Sequence, residues 1–213
     1  MSLWAIVPVK PLRHAKSRLS GLLTPAERST LARSLLARTL DVLTQAPELY
    51  RRLVISRDPE ALAVARQHQA LTMTEPGAAP PDLNAALSRA TQVARSFGAS
   101  AVLVVPGDLP QLLAEDVAAL LALDGAGPRM VIAPDRHETG TNALLVRPPG
   151  WLAYAFGAGS FQAHQALAAE ARAAVSVLRR PGLAFDLDTP EDWRLNREYT
   201  LAHIPLELTR RPL

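Results

Sequence analysis

Four stretches of this 213-residue chain carry residue types that handle anions or metal ions. The first is Pro8-Val9-Lys10-Pro11-Leu12-Arg13-His14-Ala15-Lys16-Ser17-Arg18-Leu19, which crowds Lys10, Arg13, Lys16 and Arg18 into one short segment. Cations this close repel one another unless an anion or solvent screens them, and a nucleotide triphosphate would supply that anion. A solvated basic loop is the ordinary fate of such a charge run. Lysine usage favours phosphate: of 23 basic residues only two are lysines, and both lie here. The second stretch is Val104-Val105-Pro106-Gly107-Asp108-Leu109-Pro110, where Asp108 either caps a turn or ligates a metal ion.

In the third, Phe185-Asp186-Leu187-Asp188-Thr189-Pro190, an extended backbone puts Asp186 and Asp188 on one face and turns Leu187 into the core. Two like charges on one side are costly without a cation between them, and carboxylate oxygens suit a hard ion such as Mg²⁺. The competing reading makes Asp188 and Thr189 the start of a helix, which accounts for Asp188 but not for Asp186. The fourth combines Asp135-Arg136-His137-Glu138-Thr139-Gly140-Thr141-Asn142 with Phe156-Gly157-Ala158-Gly159-Ser160-Phe161. Both offer backbone N–H groups and hydroxyls to an anion, and Gly157 to Ser160 is the better site because a helix start follows.

Several familiar chemistries are excluded. There is no Cys, hence no disulfide, thiolate nucleophile or iron–sulfur cluster. Gly157-x-Gly159 lacks the third glycine of a dinucleotide fingerprint, and neither a Walker loop nor a Gly-x-Ser-x-Gly elbow occurs. The five histidines show no zinc spacing; His137 and His164 lie near site segments, the others read as surface or packing residues. The arginines are scattered singly, without the concentrated basic face that nucleic acid requires. The apolar N-terminal run is too short for a membrane span and lacks a basic leader, so a soluble cytoplasmic protein is the expectation.

Short, β-branched apolar runs read as strands at Trp4 to Val9, Leu53 to Ser56, Ala101 to Val105, Met130 to Ala133, Ala143 to Val146 and Val175 to Leu178. Helices are expected from Thr24-Pro25-Ala26-Glu27, a capping box, and from Asp58-Pro59-Glu60. Others fit Asp82 to Phe97, Ala114 to Leu123, Phe161 to Ala171 and Pro190 to Tyr199. Composition is that of an ordinary globular protein, 48% hydrophobic and 20% charged. The alternation predicts an α/β fold with a mostly parallel sheet covered on both faces, in a single domain over residues 1–213. Ligands of such sheets sit beyond the carboxyl ends of the strands, where the basic loop and Asp108 fall.

In this order the segments resemble the guanylyltransferases that activate 2-phospho-L-lactate or phosphoenolpyruvate in biosynthesis of the deazaflavin coenzyme F(420). The likeness rests on Val-Pro-Val-Lys-Pro-Leu…Ala-Lys-Ser-Arg-Leu, Asp82-Leu83-Asn84…Leu87, Pro106-Gly107-Asp108-Leu109-Pro110, Asp135-Arg136…Gly140-Thr141, Phe156-Gly157-x-x-Ser160 and Asp186-x-Asp188-Thr189-Pro190. It implies a three-layer α/β/α sandwich of the nucleotide-diphospho-sugar transferase (GT-A-like) type, with a mixed, mostly parallel sheet. By resemblance, Asp108, Asp186 and Asp188 would hold Mg²⁺. Thr141, Gly157 and Ser160 would hold the phosphorylated three-carbon acid, and Pro8, Lys10, Lys16, Arg18, Asp82 and Asn84 would meet GTP. Lys16, Arg18 and Asp108 would carry catalysis. Residues 200–213 match nothing assignable; a homodimer through that tail is a further expectation. Alternatives are a nucleotidyltransferase of the same fold acting on a molybdopterin, a sugar phosphate or methylerythritol phosphate, a metal-dependent glycosyltransferase, or a nucleotide-binding regulatory module.

Overall fold

The computed structural model describes residues 2–76 and 82–203, so part of the Pro/Gly-rich loop and residues 204–213 of the tail lie outside the described residues. The element order is β1 (Leu3–Val9), α1 (Pro25–Thr44), β2 (Leu49–Ser56), α2 (Pro59–Gln67), β3 (Leu71–Thr74), α3 (Leu83–Ser96), β4 (Ala101–Val104) and α4 (Ala114–Ala122). It continues with β5 (Arg129–Pro134), β6 (Thr141–Arg147), α5 (Ser160–Glu170), β7 (Ala174–Val177), α6 (Pro181–Ala184) and α7 (Pro190–His203). Two short 3-10 turns, Leu12–His14 and Ser17–Leu19, follow β1.

The strands form one seven-stranded sheet in the order β3-β2-β1-β4-β6-β5-β7. Pairing is parallel for β1 with β2 and β4, for β2 with β3, and for β5 with β7, while β6 runs antiparallel to both β4 and β5. The buried strands are apolar at nearly every position because both faces are covered. Ala5 and Val7 of β1 join a core with Leu36 and Leu40 of α1, Ala61 of α2 and Leu120 of α4. Their neighbours Trp4 and Ile6 point the other way, into a core with Ala86, Ala90 and Ala94 of α3 and Phe161 of α5.

Helix starts follow the chemistry of their caps. Thr24 and Glu27 make the reciprocal capping box ahead of Pro25, with Glu27 Oε2 accepting from Thr24 N at 2.8 Å and Thr24 Oγ1 accepting from Glu27 N at 3.3 Å. Asp58 caps α2 through Oδ1 and with Oδ2 accepts from the Leu12 N–H at 2.7 Å, tying the loop after β1 to the helix beside it.

Three elements depart from the expectation, one of them α6, a single turn that opens at Pro181. β3 is an edge strand of four half-exposed residues, too short and too polar for alternation to reveal. β2 begins at Leu49, because the polar Arg51 and Arg52 pair with Trp4 and Ala5, and the Arg51 guanidinium stacks 5.0 Å over the Tyr50 ring. Among the described residues no helix is long and apolar enough to cross a membrane.

Candidate active site

The order β3-β2-β1-β4 places a topological switch point between the parallel strands β1 and β4. Loops leaving both strands, joined by those after β2 and β3, line a cavity of about 480 Å³, within the size range of small-molecule sites. Pro8, Lys10, Lys16 and Arg18 line it from the β1 side, Asp82 and Leu83 from the start of α3, and Asp108 and Asp188 from opposite. Arg57 and Glu75, paired at 2.9 Å, close its far side. The sequence reading missed this pair, since a single Arg and a single Glu after two strands carry no motif.

The basic loop does not behave as one cluster of four cations. Lys10 and Arg18 are exposed at the cavity, while Arg13 lies outside its lining and donates from Nε to His14 Nε2 at 3.1 Å. Lys16 is buried, its side chain only 4% exposed, with Nζ 2.8 Å from Asp108 Oδ2 and 2.8 Å from Asp188 Oδ1. Its backbone takes a left-handed conformation, φ 54°, which turns the side chain inward between the two short helical turns. Burial alone would lower its pKa, yet Asp108 and then Asp188 outweigh that and hold it above the ordinary lysine value.

The acids divide by environment. Burial raises the Asp188 carboxyl, but Lys16, Lys10 and Arg18 together bring it below the usual carboxylate range. Burial, then the charges of Asp108 and Asp188, push Asp186 up to about 6. Leu187 between them is fully buried against Leu19, Leu23, Leu31, Leu35 and Trp193, so the segment has the expected alternation. Thr189 and Asp192, not Asp188, cap α7: Asp192 Oδ2 accepts from Thr189 N at 2.7 Å, and Thr189 Oγ1 accepts from Asp192 N at 3.2 Å. Asp188 is thereby left for Lys16, and the helix start is accounted for without its side chain.

Carboxylates are the donor type for the divalent cation that the resemblance implies. Asp108 Oδ1 is buried with no hydrogen-bond partner among the described residues, and it sits beside two more carboxylates. No ready-made group of three ligands occurs among the described residues; Lys16 Nζ stands between Asp108 and Asp188.

The second half of the site is built where the turn between β5 and β6 meets the start of α5. Asp135 Oδ1 accepts from Thr139 N at 2.9 Å, and a Cβ on Gly140 would lie 2.7 Å from Asp135 Oδ2, so a larger residue there would push the Asp135 carboxylate aside. Phe161 N–H donates to Thr139 O at 3.1 Å, which brings Thr141 to the first turn of α5. Gly157 and Gly159 hold φ at 139° and 70°, freeing the backbone to open the helix at Ser160. Thr141 and Ser160 are both buried, and His164, one turn after Ser160, contacts Thr141 at 3.1 Å.

Asn84 does not line the cavity. Its amide is engaged by Phe156, donating to the carbonyl at 3.1 Å and accepting from the N–H at 2.8 Å, so it positions the Gly157 loop. Arg136 joins the two halves: its guanidinium lies over Phe185 at 5.1 Å and 3.0 Å from Asp192, beside the Asp186 to Asp188 segment.

The fully buried His164 gives a prediction about stability. Desolvation pushes its pKa down to about 4, the Ser160 carbonyl opposing this only in part. The unfolded chain takes up that proton below its ordinary value while the folded protein stays neutral. Stability is therefore fully present above about pH 6.5 and falls as the pH drops toward 4. Urea unfolding at about pH 7 and pH 5 should show wild type losing about 2 kcal/mol more than His164→Asn. Parallel pH profiles would contradict a neutral buried ring.

Comparison with known proteins shows the family and the fold. The family model "Guanylyl transferase CofC like" matches residues 3–195. A phosphoenolpyruvate guanylyltransferase of Rubrobacter xylanophilus is 47% identical over 192 residues, covering 90% of this chain and 92% of that protein. One from Sphaerobacter thermophilus is 43% identical, covering 90% and 91%. Among solved structures, a protein of Desulfovibrio desulfuricans G20 assigned to the nucleotide-diphospho-sugar transferases superposes with a TM-score of 0.74. It is 20% identical, over 96% of this chain and 92% of that one, a likeness of fold.

Proposed function

The chain belongs to the CofC-like guanylyl transferase family, and from that membership we propose that it transfers GMP from GTP to the phosphate of phosphoenolpyruvate, a step of coenzyme F(420) biosynthesis. The names of the relatives favour phosphoenolpyruvate over 2-phospho-L-lactate as the acceptor. The observation that carries the reading is the two-part site. A cavity at the β1–β4 switch point joins exposed cations to acids, and a hydroxyl- and N–H-rich helix start lies across Arg136 from it.

An oxygen of the acceptor phosphate attacks the α-phosphorus of GTP in line. The new P–O bond forms as the bond from the α-phosphorus to the bridging oxygen breaks, and pyrophosphate leaves with the electron pair. No general base is needed, because the attacking phosphate is already anionic near neutral pH. The protein's task is to bring two polyanions together and neutralise growing charge. Lys10 and Arg18, exposed at the cavity, are placed for the triphosphate, and Asp82 lies at its α3 wall. Thr141, Ser160 and the Gly157 loop receive the phosphoacid.

Asp108, Asp186 and Asp188 would hold Mg²⁺, which when bound supplies positive charge to the phosphates. Lys16 keeps Asp108 and Asp188 ionised and fixed in relation to each other. A soluble cytoplasmic enzyme fits these substrates. Mass spectrometry of the reaction with GTP and phosphoenolpyruvate should reveal a diester-linked diphosphate joining guanosine to enolpyruvate. Recovery of GMP or GDP alone would reject the transfer.

A further inference from the structure

An imidazole buried at 0% exposure has two ring nitrogens that must each find a partner, and His164 satisfies both in a way that fixes its tautomer. Nε2 lies 3.0 Å from the backbone nitrogen of Ala155, and Nδ1 lies 3.1 Å from Thr141 Oγ1. A backbone N–H can only donate, so Nε2 accepts, and the single proton of the neutral ring sits on Nδ1. Nδ1 therefore donates, to Thr141 Oγ1 and to the Ser160 carbonyl one helical turn back, and Thr141 Oγ1 accepts.

The surroundings hold this arrangement in place. Phe156 meets the ring edge-on at 4.9 Å, and Phe156 is itself clamped at both backbone groups by Asn84. Burial pushes the ring pKa down to about 4, so the second proton stays off near neutral pH. A hydroxyl that has accepted from the ring has its own hydrogen left to give elsewhere. Among the described residues Thr141 Oγ1 has no second side-chain partner to take it.

We infer that His164 is a positioning residue for the acceptor: by donating to Thr141 it turns that hydroxyl into a donor directed away from the ring, toward an anionic oxygen of the phosphoacid. With the opposite tautomer the threonine would donate to the ring and present only lone pairs to an anion. His164 thus selects for an acidic ligand without touching it. The inference rests on the placement of the acceptor at Thr141 and Ser160.

Asparagine and glutamine separate the two ring nitrogens, since Asn reaches the Nδ1 position with an N–H and Gln reaches the Nε2 position with an oxygen. Steady-state kinetics with GTP and phosphoenolpyruvate should give His164→Gln and Thr141→Val an acceptor KM raised about tenfold, against about threefold or less for His164→Asn, as expected when a hydrogen bond to a charged group is lost or kept. GTP KM and kcat should hold. The double variant His164→Gln/Thr141→Val should be no worse than Thr141→Val; additive losses would overturn the inference. Nitrogen NMR of histidine-labelled wild-type protein needs no substrate and no variant. Protonated Nδ1 with bare Nε2 supports the inference, and the reverse pattern overturns it. A wild type that forms no product from phosphoenolpyruvate would count against the proposed function, while the spectrum would still decide the polarity of the hydroxyl.

Discussion

Turnover of an Asp188→Ala protein should fall by about 10²- to 10³-fold, the loss seen when one preorganised electrostatic group is taken from a charged transition state. The fold should survive. Thr189 and Asp192 start α7 without help from the Asp188 side chain, which is 37% exposed, and Lys16 keeps Asp108 as a partner at 2.8 Å. Tm should therefore drop by no more than about 4 °C, the shift expected for about 1 kcal/mol in a chain of this size. Asp188→Asn, which keeps the shape and removes the charge, should be equally slow. Near-wild-type kcat in either variant, with melting unchanged, would remove Asp188 from the site.

Lys16→Met should damage both activity and stability. Methionine fills the same buried channel without charge, leaving the Asp108 and Asp188 carboxylates to face each other with the unpartnered Asp108 Oδ1 and Asp186 beside them. Breaking a buried ion pair on one side costs about 3–5 kcal/mol. Asp108 and Asp188 are 29% and 37% exposed, so water softens the loss. The lower end is expected, a Tm decrease of about 6–12 °C. Because the variant lacks the lysine cation between the acids, millimolar Mg²⁺ should restore part of its Tm while moving wild type less. A Lys16→Met protein that melts like wild type and ignores Mg²⁺ would show that the lysine charge is not what balances these acids.

Most of the frame was legible because it rests on local signals. The Thr24–Glu27 box, the Asp58 and Asp82 caps and the continuous apolar runs each dictate structure within a few residues, and the structure has them. The i, i+2 relation of Asp186 and Asp188 likewise needed only a buried Leu187 between them. What stayed hidden depends on contacts between distant segments. Lys16 read as one of four cations gathered for a phosphate, and only the approach of Asp108 and Asp188, 92 and 172 residues away, makes it a buried counter-ion. The hold of the Asn84 amide on Phe156, across 72 residues, is likewise invisible in the sequence. The Arg57–Glu75 wall and the His164–Thr141 pair have no spacing that would announce them, since each arises from the order in which the strands assemble.

The most direct test of the central claim is pyrophosphate release measured with GTP, ATP, CTP or UTP, each alone and with phosphoenolpyruvate, 2-phospho-L-lactate or 3-phosphoglycerate, in the presence of Mg²⁺. The account predicts release that requires both GTP and phosphoenolpyruvate, one pyrophosphate for each acceptor consumed. Release that is indifferent to the phosphoacid, that prefers another nucleotide, or that is absent from every combination would contradict it.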